Sequence, residues 1–142
     1  MHGYRQIEHT ADIAVEIYAD SLENLFRAGV EAWHELSVEG EPAALIGIKN
    51  IKLKAASYEE LMIIFLSEIN YQLHAFKWLS KSIKSITLNK QEKDFFIDAD
   101  IEGDAIDFDR FTIKEEIKAV TFHQINIENK DDLFTTKIVF DI

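Results

Sequence analysis

The chain has 142 residues, enough for one domain with a real core, and 47% of them are hydrophobic, more than a disordered segment carries. Twenty-six acidic side chains against 15 Lys and Arg give a net charge of −11, which argues against direct binding of RNA or DNA, because such proteins present a basic face to the polyanion. Cysteine is absent, which excludes disulfides and thiolate metal sites and points to a reducing, cytoplasmic setting.

The opening MHGYRQIEH lacks the charged-then-apolar layout of a signal peptide. Residues 5–8 read as a short strand. The next four, His9-Thr10-Ala11-Asp12, make a turn without Gly, Pro or Asn, and offer instead an imidazole, a hydroxyl and a carboxylate. Ile13, Val15 and Ile17 then alternate with Ala14, Glu16 and Tyr18, the period-two pattern of a half-buried strand. Ser21 is a good helix N-cap, with Asn24 in place of a capping-box Glu. Leu22, Leu25, Phe26, Val30, Trp33 and Leu36 follow at helical spacing. Gly40 and Pro42 break the chain, and KNIKLK at residues 49–54 resumes it as a strand with its lysines toward water.

A second helix begins at Ser57, with Glu60 completing a capping box. Its body is apolar on nearly every side, so it belongs inside the fold. The apolar run at residues 61–66 is far shorter than the ~20 residues of a membrane span, and no membrane is expected. Glu68 interrupts this body, and a buried carboxylate needs an edge or a cation. KWLSKSIK at residues 77–84 is the densest basic stretch, too sparse for a nucleic-acid face. Ile86 and Leu88 precede an NKQEKD turn, and Phe95, Ile97, Ala99 and Ile101 alternate with Phe96, Asp98, Asp100 and Glu102. A link through Gly103 and residues 107–110 leads to a strand at 116–128, with Ile117, Ala119, Thr121, His123, Ile125 and Ile127 on one face. NKDD makes a hairpin turn, and LFTTKIVFDI closes the chain. The sum is an α+β fold in one domain, residues 1–142, with two main helices packed on a largely antiparallel sheet of six or seven strands.

The last strand runs to Ile142 with no polar tail, and Asp141 points away from Phe140 and Ile142. If it lies beside the strand that Asp12 opens, the Asp12 and Asp141 side chains and the α-carboxylate of Ile142 converge. Such a cluster repels itself unless a cation sits within it. Hard ions accept an all-oxygen shell, whereas Zn²⁺ usually recruits His as well. The plainer alternative stands beside this one: Asp12 accepting backbone amides in its turn and Asp141 solvated.

At this point the residues match a known family. YRQIEHTADIAVEIYADSLENLFRAGVEAW resembles the N-terminal signature of the archease family, and EEIKAVTFHQINI followed by a terminal IVFDI resembles its C-terminal signature. SYEELMIIFLSEINYQL looks like the family's buried helix, including the acid at Glu68. The resemblance spans essentially the whole chain, in order. It implies a compact α+β domain with a bound divalent ion, Ca²⁺ foremost, with Mg²⁺ or Mn²⁺ admissible. It further implies a cofactor protein, not itself an enzyme, for the tRNA-splicing RNA ligase that works through a guanylylated histidine. The ligase, rather than this chain, uses the GTP or ATP. An acidic helper suits the basic rim of an RNA-holding ligase.

Carried over residue by residue, the resemblance implies metal ligands at Asp12, Asp141 and a main-chain terminal oxygen of Ile142. Lys118 matches a lysine implicated in activating the ligase, where the plain reading is an exposed strand lysine. Glu68 matches an acid with a supporting or ligase-facing role, and His9 a turn-stabilising neighbour rather than a ligand. His123 reads as a packed strand histidine. Phe122 stands where many family members have Tyr, Ile13-Ala14 lacks a Gly frequent there, and the link near Phe111 lacks a common His. Two other readings compete: a stand-alone metal-dependent hydrolase using Asp12, Asp141 and Glu68, and a chaperone-like protein-binding module.

Overall fold

The computed structural model describes residues 1–8, 12–40, 47–106 and 111–142; His9, Thr10, Ala11, Pro42 and the 107–110 link fall outside the described residues. β1 (His2–Glu8) and β2 (Asp12–Ala19) pair antiparallel. The period-two pattern of β2 sends Ile13, Val15, Ile17 and Ala19 into the core and leaves Glu16 and Tyr18 half-buried on the other face.

α1 (Leu22–Ser37) starts where Ser21 Oγ accepts the Asn24 N–H at 3.1 Å, and its apolar stripe is buried from Leu25 to Leu36. α2 (Tyr58–Phe76) starts where Ser57 Oγ accepts the Glu60 N–H at 3.1 Å. Glu60 answers by accepting the Ala56 N–H at 3.3 Å, one residue before the cap, so two orphan donors of the helix start are met. α2 is buried at Leu61, Met62, Ile63, Phe65, Leu66, Ile69, Asn70 and Leu73, as its all-round apolarity requires.

The remaining strands are β3 (Val38–Glu39), β4 (Gly47–Ala55), β5 (Trp78–Gln91), β6 (Asp94–Ala105), β7 (Thr112–Ile113), β8 (Ala119–Thr121), β9 (Glu128–Lys130) and β10 (Leu133–Asp141). β1-β2-β10-β8 form one sheet, with β9 also on β10; β4-β6-β5 form a second and β3-β7 a small third. Every pairing is antiparallel. The helices lie between the two larger sheets: α1 touches β1, β2 and β10 on one side and β5 on the other, while α2 touches β8 and then β4, β5 and β6. Phe26 of α1 meets Phe65 of α2 edge-on at 5.8 Å between ring centroids.

The α+β expectation stands. The strand count does not: among the described residues there are ten strands in three sheets, not six or seven in one. Part of the difference is the expected strand at 116–128, which is broken. β8 and β9 sit on the same edge of β10 and are separated by an irregular stretch in which Gln124 takes a left-handed φ of 53°. Ile117 and Val120 are the buried residues there, while Ala119 and His123 are exposed, so the expected single face is lost and His123 is not a packed strand histidine. The stretch is pinned, since the Ile127 N–H donates to the Glu59 carboxylate at 3.1 Å and the Thr136 hydroxyl to the Asn126 carbonyl at 3.0 Å.

Two further expectations change. The β5 strand takes in all of KWLSKSIK but Lys77 and runs on through Ile86 to Gln91, leaving only a tight turn where Glu92 has φ 57°. The lysines of β4 do not all face water. Lys52 and Lys54 do, but Lys49 is half-buried on the inner face. That inner face also carries a slot for Trp78. Gly47 and Gly103 are paired across β4 and β6, and a Cβ on either would overlap the Trp78 ring or, at Gly103, the Leu79 carbonyl. No helix among the described residues is long and apolar enough to cross a membrane. Gly103→Ala is expected to lower stability by about 1–3 kcal/mol, the cost of overpacking against backbone, read as a shift in the urea midpoint.

Candidate functional site

The two ends of the chain meet. In the β2–β10 register Asp12 and Asp141 are direct partners, followed by Ala14 with Val139 and Glu16 with Lys137. Direct partners project to the same face with Cβ atoms about 4.5–5.5 Å apart, so the two carboxylates share one face at the end of the sheet. Buried Ala14 and Val139 sit beside them on it. Asp12 is half-buried and Asp141 exposed. Ile142 comes next, its side chain packed against the core. Like charges directly opposite across two strands destabilise the pairing by up to about 1 kcal/mol.

Lys118 is held against this corner by its backbone. The peptide unit joining Ile117 to Lys118 is gripped at both poles: its N–H donates to the Asp141 carbonyl at 2.8 Å, and its carbonyl accepts from Asn70 Nδ2 at 2.8 Å. Asn70 is buried in α2, and its Oδ1 accepts the Trp33 indole N–H of α1 at 3.0 Å. A chain of hydrogen bonds thus runs from α1 through α2 to the strand beside the carboxylates. The Lys118 side chain is exposed and lines a cleft of about 550 Å³ between α2 and residues 116–120, with Ser67, Tyr71, His74 and Glu116 also on its walls.

Glu68 behaves otherwise. Its carboxylate is half-buried and accepts from Gln72 Nε2 at 2.7 Å, and Gln72 Oε1 accepts from Lys49 Nζ at 2.8 Å. These bonds draw it toward β4, not toward the aspartates. His9 lies outside the described residues. His123 is exposed in a turn, its N–H donating to Thr121 Oγ1 at 3.3 Å.

Asp12, Asp141 and the main-chain oxygens of Ile142 are all hard oxygen donors, the chemistry that suits Ca²⁺, Mg²⁺ or Mn²⁺. Among the described residues no group of three or more His, Cys, Asp or Glu side chains could hold a metal ion. An ion on this pair would therefore be half-caged, with its other positions open to water or to a partner.

Sequence reading missed Asn70, although a lone amide inside a helix apolar on every side is the signal that finds it. It also missed the surface around Tyr71 and Phe76, for which exposure is needed.

Residues 4–142 match the model of the Archease protein family. Protein archease of Pyrococcus abyssi is 30% identical over 132 residues, 93% of this chain and 92% of that protein. Protein archease of Methanosarcina barkeri is 25% identical over 139 residues, 98% of this chain and 95% of that protein. The solution structure of Methanobacterium thermoautotrophicum protein 1598 covers 99% of both chains with a TM-score of 0.84 at 20% identity. A crystal structure of an archease from Thermotoga maritima, described as a possible chaperone, covers 97% of this chain and 96% of its own with a TM-score of 0.60 at 21% identity.

Two outcomes follow from the geometry. Asn70→Leu strands an indole N–H and a carbonyl in the core and is expected to cost about 2–4 kcal/mol, from one unsatisfied buried group at each end, measured by urea denaturation. Asp141→Asn, assayed in chelator, removes the cross-strand repulsion and is expected to raise stability by up to about 1 kcal/mol, read as a higher thermal midpoint.

Proposed function

The chain belongs to the archease family, and on that premise we propose that it is a protein cofactor that activates a tRNA-splicing RNA ligase by promoting its guanylylation, without being an enzyme itself. The observation that carries this reading is the register pairing of Asp12 with Asp141, beside the peptide that bears Lys118.

In this reading Asp12, Asp141 and a main-chain oxygen of Ile142 hold a divalent cation from one side. When bound, the ion supplies positive charge for phosphate oxygens of the nucleotide that the ligase uses. The two carboxylates would hold such an ion with coordination positions left for water or for a partner to share. Lys118 adds a second cation near that rim, on a backbone that Asn70 and the Asp141 carbonyl keep from shifting. The acidity of the rest of the chain steers it to a basic ligase mouth and discourages RNA from competing for the same face. Glu68 has a supporting role, through its bond to Gln72. The working compartment is the cytoplasm, where a tRNA ligase meets its substrates.

A stand-alone metal-dependent hydrolase would need a base or nucleophile beside the open metal positions. That reading uses Asp12, Asp141 and Glu68, and Glu68 is taken up by its hydrogen bond from Gln72. A chaperone-like module would bind clients through apolar surface, so reversing the charge of the aspartates would leave its binding unchanged.

The test is to mix the chain with its cognate ligase and GTP, with and without divalent metal, and to measure covalent guanylyl-ligase. Asp12→Ala is expected to lower the yield at least about tenfold while still melting cooperatively, its stability in chelator within about 1 kcal/mol of the wild type. Normal guanylylation by that variant would remove the carboxylate pair from the mechanism. Separately, Ca²⁺ at a hundred times its Kd is expected to stabilise the wild type by about 2.7 kcal/mol, and to leave a variant lacking both aspartates unmoved.

A further inference from the structure

We propose that the cleft between α2 and residues 116–120 binds a small organic anion, one with an apolar body and a single phosphate or carboxylate head. The site lies apart from the aspartate pair, and the proposal stands whether or not the ligase reading does.

In the apolar body of α2, Ser67, Asn70, Tyr71 and His74 recur at i, i+3, i+4 and i+7, which places them on one face. That face forms one wall of a cleft of about 550 Å³, and residues 116–120 form the other. The two walls are joined, because buried Asn70 donates from Nδ2 to the Ile117 carbonyl at 2.8 Å. Tyr71 is set as well, its ring edge-on to that of Phe76 at 5.7 Å. The cleft is therefore formed before any ligand arrives. Its volume falls in the range of small-molecule sites, about 300–1,000 Å³.

The lining names the class of ligand. Ile117, Val120 and the Tyr71 ring offer apolar surface to a flat or aliphatic body. Around it, Lys118 brings an ammonium, Ser67 and Tyr71 hydroxyls, and His74 a ring N–H, against the single acid Glu116. Among the described residues, the side chains of Ser67, His74, Glu116 and Lys118 enter no hydrogen bond or ion pair within the chain. Donors thus outnumber acceptors and are uncommitted. A phosphate or carboxylate takes up such donors in charge-assisted bonds, the strong kind. Glu116 is left for a hydroxyl or amino group on the ligand body.

The net charge of −11 opposes this only at long range, since charges beyond about 8 Å are largely screened at physiological ionic strength. Asp12 and Asp141 project with Ala14 and Val139 to the sheet face opposite the one that packs on α2, so neither lines the cleft. Size then separates a small anion from a polymeric one. A nucleic acid would extend past the cleft over an acidic surface. An extended peptide would find only the three residues of β8 to pair with.

The experiment titrates phenyl phosphate, benzoate, inorganic phosphate and benzyl alcohol separately into the isotope-labelled chain and follows its backbone amide resonances. Phenyl phosphate or benzoate is expected to move the amides of residues 67–74 and 116–120 with a Kd below about 10 mM, and the tighter of the two identifies the head. Inorganic phosphate and benzyl alcohol each lack half of the ligand and are expected to bind at least about tenfold more weakly. Lys118→Met, which keeps the stem and removes the charge, is expected to weaken the aryl anion at least about fivefold. Glu116→Gln is expected to tighten it. Three results overturn the proposal: no movement in those two segments up to that concentration, inorganic phosphate or benzyl alcohol binding as well as the aryl anions, or Lys118→Met binding like the wild type.

Discussion

One peptide unit, Ile117–Lys118, ties the molecule together. Its two polar groups are spent in opposite directions, the carbonyl on Asn70 and the N–H on Asp141. Behind Asn70 stands Trp33, the largest fully buried side chain of α1. A buried amide that satisfies one donor and one acceptor is stable only in one orientation, because flipping it sets donor against donor and acceptor against acceptor. The core thus fixes the amide, the amide fixes the peptide, and the peptide fixes the strand that runs beside the aspartates. Beyond that series, β8 is a strand of three residues at a sheet edge, held by its pairing with β10 and by the burial of Val120.

The carboxylate corner is a local tension that the surrounding fold tolerates. β2 and β10 are zipped along eight paired positions from Phe134↔Ala19 to Asp141↔Asp12, and the register is enforced because a slip by one residue would turn Ile13, Val15 and Ile17 out of the core. The hydrophobic face therefore dictates that the two acids oppose each other, whatever the electrostatic cost. A fold selected for stability alone would set a lysine opposite one of them, as it does four positions along the register, where Lys137 opposes Glu16.

Much of this was legible in the amino acids, and the reasons differ by element. The stripe from Leu25 to Leu36 and the alternation of Ile13, Val15 and Ile17 each encode burial through their own period, so α1 and β2 could be read directly. The meeting of Asp12 and Asp141 could be posed as a question, but its answer needed the sheet, since periodicity carries no information about which strands are neighbours. The break after Thr121 was hidden because Gln124 takes a left-handed φ with neither Gly nor Pro to announce it. The NKDD turn was announced, and Asp131 and Asp132 both take positive φ there, the two-residue hairpin geometry that Asp tolerates. Lys49 was misjudged because a lysine stem can lie along aromatic rings while its ammonium finds an amide oxygen, a choice that the hydropathy of the residue does not encode. Glu68 drew notice as a charge in an apolar helix, yet Asn70, two residues on, reaches the working strand.

The interrupted edge along β10 bears on how the molecule fares in a crowded solution. An uninterrupted outer strand offers unpaired amides in a row, a template on which other chains can assemble toward fibrils. Here three residues of β8 and three of β9 frame residues 122–127, which Glu59 and Thr136 tether out of line. An incoming chain could pair over no more than three residues before meeting that obstruction. The loop that removes regularity from this side of the sheet thereby acts as a guard against self-templated aggregation.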